Sequence, residues 1–140
     1  MKKMNLTLKS GLNGIKLHRA WISSTCRQFG LNSEDSLHVM TAFDEALTNI
    51  ARHTYKNRPG KISIDLVPYK NRLKIIISDW GKPFDAKRVK KQTPKEMIRK
   101  KKEGGLGMLL IERLMDKVKY LRRKDHNELV MIKYTGSKIP

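Results

Sequence analysis

Between Ser33 and Tyr55 the apolar residues Leu37, Met40, Phe43, Leu47 and Ile50 recur at steps of three and four, which gives one side of a helix an apolar stripe. Ser33 suits the N-cap, and Glu34 and Asp35 place negative charge in the first turn, where the helix dipole favours it. Elsewhere the period is two. Met4 to Lys9 alternates apolar and polar, Lys61 to Val67 sets Ile62, Ile64 and Leu66 on one face, and Leu73 to Ser78 runs straight into Asp79. The turn Pro68 to Asn71 joins the last two as an antiparallel hairpin. Val118 to Arg123 and Glu128 to Tyr134 add two strands around the polar turn Lys124 to Asn127.

Two further helices are expected. One spans Ile15 to Phe29 and stops at Gly30, a good C-cap; the other opens at Gly104 and carries Leu109, Leu110, Ile111, Leu114 and Met115 on its apolar side. The order of elements predicts an α+β fold: a two-layer sandwich in which a mixed, mainly antiparallel sheet of about five strands bears about three helices on one face. With 140 residues, the chain reads as a single domain, 1–140, long enough to bury a real core.

Composition changes the picture at three points. The net charge of +18 would attract polyanions: nucleic acid, anionic membrane, acidic protein surfaces or nucleotide phosphates. From Lys82 to Lys102 there are ten Lys or Arg against Asp85 and Glu96, with Pro83 and Pro94 among them, so 82–103 is expected as an exposed lid. The single Cys26 cannot form an internal disulfide and reads as a buried structural thiol. No stretch has the apolar length of a transmembrane helix and Met1 to Ser10 lacks a signal peptide's apolar core, so a cytoplasmic protein without membrane contact is expected.

Three stretches could carry chemistry. Thr41, Glu45, Thr48, Asn49 and Arg52 share the polar side of the central helix, and Glu45 and Asn49, one turn apart, lie about 6 Å apart along the axis. They form either a solvated polar face or a pair that reaches a metal and a proton on one ligand. Asp79-Trp80-Gly81-Lys82-Pro83 follows a strand; it is either a plain turn or a carboxylate that accepts from an exocyclic amine, with glycine giving a flat ring room. Gly104-Gly105-Leu106-Gly107 at a helix start is either a hinge or a phosphate cradle of backbone N–H groups. The Gly-Lys-Ser/Thr ending of a Walker A motif is absent. His53 beside Arg52 is a weaker phosphate candidate. Basic residues are not interleaved with regularly spaced aromatics, so nucleic acid is expected only as a nonspecific, salt-sensitive partner.

In this order the three stretches resemble the motif boxes of the GHKL ATPases, whose pocket is the Bergerat fold, and most of all the stand-alone anti-sigma factor serine-protein kinases of bacteria. DEALTNIARHTY at Asp44 to Tyr55, SDWGKPFD at Ser78 to Asp85, GGLGMLLIERLMDKVKY at Gly104 to Tyr120 and NELVMIKY at Asn127 to Tyr134 carry the likeness, which covers nearly the whole chain. The resemblance implies ATP and Mg2+ as cofactors, with Asn49 as the metal ligand and Glu45 as the general base on a serine hydroxyl. Asp79 would bind the adenine amine beside Gly81. Arg52, His53, Pro83, Gly104, Gly105, Leu106 and Gly107 would complete the nucleotide site. It further implies a small anti-anti-sigma protein as substrate, a sigma factor as the sequestered partner, and a homodimer. Some relatives carry a Gly-Thr pair before the last strand that helps position adenine; Asn127 and Glu128 stand there instead. The alternative is a partner-switch module that binds ATP without kinase activity.

Overall fold

Alternation of apolar and polar residues makes one sheet face greasy, and the helices cover that face. The computed structural model describes residues 2–10, 18–83, 95 and 107–135. Five strands, β1 (Met4–Lys9), β2 (Lys61–Pro68), β3 (Arg72–Asp79), β4 (Lys117–Arg122) and β5 (Asn127–Tyr134), form one sheet in the order β1-β2-β3-β5-β4. The described helices are α1 (Arg19–Phe29), α2 (Ser33–Asn49), which continues into a π-turn at Ile50–Thr54, and α3 (Gly107–Leu114). Most of the expected lid, together with Gly104, Gly105, Leu106 and the helix start at 15–17, lies outside the described residues.

Every described strand pairing is antiparallel, which corrects the expectation of a mixed sheet. The connection through α3 does set β3 and β4 in the same direction, but β5 inserts between them and pairs with both. No parallel neighbours result.

The inner face is the alternating set Ile62, Ile64 and Leu66 of β2, Leu73, Ile75 and Ile77 of β3, and Leu129 and Met131 of β5, all buried. Val39, Ala42, Phe43, Ala46 and Leu47 of α2 press onto it and are fully buried or nearly so. Each large side chain buried this completely contributes about 1.5–3 kcal/mol. The buried stripe of α2 is rotated from the one expected: Leu37 is 64% exposed, while Asp35 is buried. On α3 Leu110 likewise faces outward, and Ile111 with the following Met115 packs inward.

Helix ends follow local chemistry. Asn32, not Ser33, caps α2: its Oδ1 accepts from Asp35 N–H at 2.7 Å. Gly30 ends α1 at φ +95°, its N–H on the Arg27 carbonyl, and Leu31 N–H reaches Cys26 O at 3.1 Å. Cys26 is fully buried, as a structural thiol should be, and burial pushes its pKa up to about 11.

Candidate functional site

The C-terminal end of α2 widens before it stops. Tyr55 N–H meets the Ile50 carbonyl at 2.9 Å across the π-turn, an insertion that re-aims side chains and recurs at functional sites. Here His53 and Thr54 join Ala46, Asn49 and Ile50 as one wall of a cavity. The Tyr55 hydroxyl then staples the exit, donating to Lys61 O at 2.5 Å and accepting from Trp80 N–H at 2.9 Å.

The facing wall comes from strand register. Asp79, the last residue of β3, stands directly opposite Asn127 of β5, which stands opposite Arg122 of β4. Directly opposed residues on one face lie within side-chain reach, and these are joined: Asn127 Nδ2 donates to Asp79 Oδ1 at 2.9 Å, and Arg122 Nη1 donates to Asn127 Oδ1 at 3.3 Å. Gly81 N–H adds a second donor to Asp79 Oδ1 at 3.0 Å. A Cβ on Gly81 would overlap the Thr54 methyl group, so the turn after Asp79 can lie this close only as glycine.

Between the walls is a cavity of about 180 Å³. A single water needs about 10–15 Å³, so the space is sized for a ligand. Met108, Tyr120, Leu121 and Leu129 make its lining mostly apolar, with Asp79, Asn127 and Glu128 supplying polar groups. Burial, aided by Glu112, holds the Tyr120 hydroxyl well above its usual range, so it stays a neutral wall.

The first residue of α3 meets α2 beside this space. A Cβ on Gly107 would meet Glu45 Oε2 at 2.5 Å and Asn49 Nδ2 and Oδ1 at 3.1 and 3.2 Å. A carboxylate and an amide thus converge on bare backbone at a helix start. Asn49 Nδ2 donates to Met108 Sδ at 3.1 Å, which turns Oδ1 away from the sulfur and leaves it open as an acceptor. Among the described residues no group of three or more His, Cys, Asp or Glu is arranged to hold a metal. One neutral oxygen with a carboxylate nearby suits Mg2+, which keeps waters and shares its shell with substrate phosphates.

Of the residues expected from sequence, Glu45, Asn49 and Gly107 come together, and Asp79 with Gly81 forms the far end. His53 reaches the wall; Arg52 and Pro83 are exposed and do not line the cavity. The π-turn presents His53 and Thr54 there, which leaves Arg52 facing away. Gly104, Gly105 and Leu106 fall outside the described residues. Sequence reasoning missed Thr54, Met108, Tyr120 and Arg122. Only pairing across strands identifies Arg122, since it acts through its place opposite Asn127.

A model of the histidine kinase-like ATPase domain matches residues 10–133. The chain belongs to this family. Among curated relatives, serine-protein kinase RsbW of Oceanobacillus iheyensis is 37% identical over 72% of this chain and 67% of its own length. The RsbW of Bacillus thuringiensis is 30% identical over 95% of this chain and 85% of that protein. The catalytic domain of histidine kinase ThkA shares the fold at a TM-score of 0.58 and 14% identity, covering 96% of this chain and 97% of that one. A Mycobacterium tuberculosis structure of RsbU and RsbW domains superposes at a TM-score of 0.68 and 14% identity over 96% of this chain, which spans 33% of that longer one. The fold is therefore that of histidine kinase-like ATPases, and ATP is the ligand class of the domain. Among the described residues no helix is long and apolar enough to cross a membrane.

Proposed function

We propose that the chain is an ATP-dependent protein serine kinase that also acts as an anti-sigma factor. The observation that carries this reading is the meeting of Glu45 and Asn49 at Gly107, beside a ligand-sized cavity that ends in Asp79. A nucleotide laid between these ends has its exocyclic amine at Asp79 and its phosphates at the helix start, where backbone N–H groups and the helix dipole favour anions.

Asn49 Oδ1 would hold Mg2+, which when bound draws negative charge off the phosphates. Asn49 keeps that oxygen aimed by giving its own N–H to Met108. Glu45, one turn earlier on α2, takes the proton of the attacking serine hydroxyl. As that oxygen bonds to the γ-phosphorus, the bond to the ADP oxygen breaks. Gly107 lets the reacting groups approach because no side chain stands between Glu45 and the helix start. Gly104, Gly105 and Leu106 would bind phosphate with Gly107, and His53 lines the nucleotide cavity, whereas Arg52 and Pro83 stand outside its lining. A serine of an anti-anti-sigma protein is the acceptor, a sigma factor is the sequestered partner, and the chain acts as a homodimer in the cytoplasm. The +18 charge favours acidic partner surfaces.

Calorimetric titration of Mg·ATP at a salt concentration that suppresses nonspecific phosphate attraction tests the pocket. Saturable binding by the wild type, lost in Asp79→Asn, is expected. Glu45→Ala should keep ATP binding and lose transfer to a serine-bearing partner by about a hundredfold or more, within the range that positioned general bases supply. Equal transfer by that variant removes Glu45 from the mechanism, and binding without any transfer by the wild type leaves a partner switch without kinase activity.

A further inference from the structure

Asn127 and Glu128 open β5, and Asn127 is tied to the strands on both sides of it. Asn127 is 7% exposed at the inner end of β5, opposite Asp79 on one side and Arg122 on the other. Its Nδ2 reaches three oxygens: Asp79 Oδ1 at 2.9 Å, Lys82 O at 2.8 Å and Gly81 O at 3.5 Å. All three are acceptors only, so the nitrogen of the amide must face them, and Oδ1 faces the Arg122 guanidinium, a donor. The orientation of the amide is fixed by its neighbours.

This has a consequence for Asp79. Its Oδ1 is occupied by Asn127 Nδ2 and Gly81 N–H, while its Oδ2 has no hydrogen bond among the described residues, and Asp79 lines the cavity. One oxygen is pinned so that the other is presented. We propose that Asn127 is a positioning residue for nucleobase choice: by holding Asp79 Oδ1 it aims Oδ2 at an exocyclic amine, so that the site takes adenine and refuses a purine with a carbonyl at that ring position. A carbonyl there is an acceptor facing an acceptor, and a site built to bond a donor rejects the analogue lacking it. The same amide ties the carbonyls of residues 81 and 82 to β5, so the base-binding carboxylate and the chain leaving β3 are held by one side chain.

The inference rests on the nucleotide reading above, and the test separates the two. ATP and inosine triphosphate, which differ at that ring edge, are titrated by calorimetry into wild type, Asp79→Asn, Asn127→Ala and the isosteric Asn127→Asp, with thermal melts to confirm folding. Wild type should prefer ATP. Asn127→Ala should lose ATP affinity by about tenfold or more, the scale of a hydrogen bond to a charged group, while its affinity for inosine triphosphate changes much less. The preference therefore shrinks. Asn127→Asp keeps the volume, replaces the donor by an acceptor, and should shrink it at least as far; it also decides the matter if the alanine variant fails to fold. A purely structural Asn127 would lower both affinities in parallel, and an unchanged ratio in the folded variants overturns the proposal while leaving Asp79 in its role. Undiminished ATP binding by Asp79→Asn overturns the role of Asp79 itself.

Discussion

The inner face of β5 has a buried polar residue at each end and apolar Leu129 and Met131 between them, and the two ends differ in what their polar groups leave over. At one end Lys133, 3% exposed, gives its protons to Leu114 O at 2.7 Å and His38 Nδ1 at 3.2 Å and lies 3.8 Å from Asp35. It ties the C-terminus of α3 and the N-terminus of α2 to the sheet, and both of its hydrogen bonds are made inside the protein. At the other end Asn127 is as busy, but it works on a carboxylate with an oxygen to spare beside a cavity. Burial of a polar group therefore does not distinguish structure from function. An unspent valence next to open space does.

The largest effect should come from the closed end. Lys133→Met fills a similar volume but takes the ammonium away from buried Asp35, and removing one member of a buried pair costs about 3–5 kcal/mol. Urea unfolding should show that loss, and Asp35→Leu added to Lys133→Met should restore much of it. ATP affinity of the folded fraction should stay at the wild-type value. A matching fall in affinity would mean the two ends are coupled and would break the comparison.

At the open end Gly81→Ala is next in size. Its new methyl overlaps that of Thr54, and overpacking of this kind costs about 1–3 kcal/mol. The displaced turn should also weaken ATP binding, because Gly81 N–H holds Asp79 Oδ1. Thr54→Ser deletes the opposing methyl, so the double variant should recover both stability and affinity. Failure to recover would show that backbone freedom, and not the contact with Thr54, demands glycine there.

These examples mark what was legible in the chain. Strands β2, β3 and β5 declared themselves because a sheet with one covered face imposes period two on its residues, and Glu45, Asn49, Asp79 and Gly107 stood out by their chemistry at element ends. Lys133 and Asn127 did not. An alternating strand normally turns lysine to water, and the partners that permit burial here, Asp35 and Leu114 O, are 98 and 19 residues away in the numbering. Asn127 takes its meaning from register with Asp79, which local pattern does not contain. The π-turn at Ile50–Thr54 and the exposure of Leu37 were hidden for a related reason: both depend on how α2 is rotated against the sheet, and several rotations satisfy the same apolar spacing.

The smallest effect should come from the rim of the pocket, from a cluster in which Glu128 lines the cavity and His126 does not. His126 stacks on Trp80, with ring centroids 5.4 Å apart, and its Nδ1 and Nε2 meet Asp125 Oδ1 at 2.6 Å and Glu128 Oε2 at 3.0 Å. Both partners are carboxylates, so both ring nitrogens do best as donors; the bond to Asp125, then that to Glu128, holds the imidazolium and raises its pKa above the ordinary 6.5. Burial pushes Glu128 upward, but the hydrogen bonds from His126 and Arg123 outweigh it and hold its pKa below the ordinary range. The sign follows for each. The stabilisation from His126 is fully present below its unfolded value and is lost as pH rises through its raised folded value; that from Glu128 is present above its unfolded value and is lost as pH falls through its lowered one. The cluster should therefore support the fold most between the usual carboxylate and histidine ranges. NMR titration should place the His126 ring above 6.5, and His126→Gln should flatten the alkaline arm of the melting profile. Because Asp125 is exposed and His126 and Glu128 are only half-buried, salt should shrink the effect, whereas the Lys133 anchor, shut away from solvent, should hold its contribution as ionic strength rises.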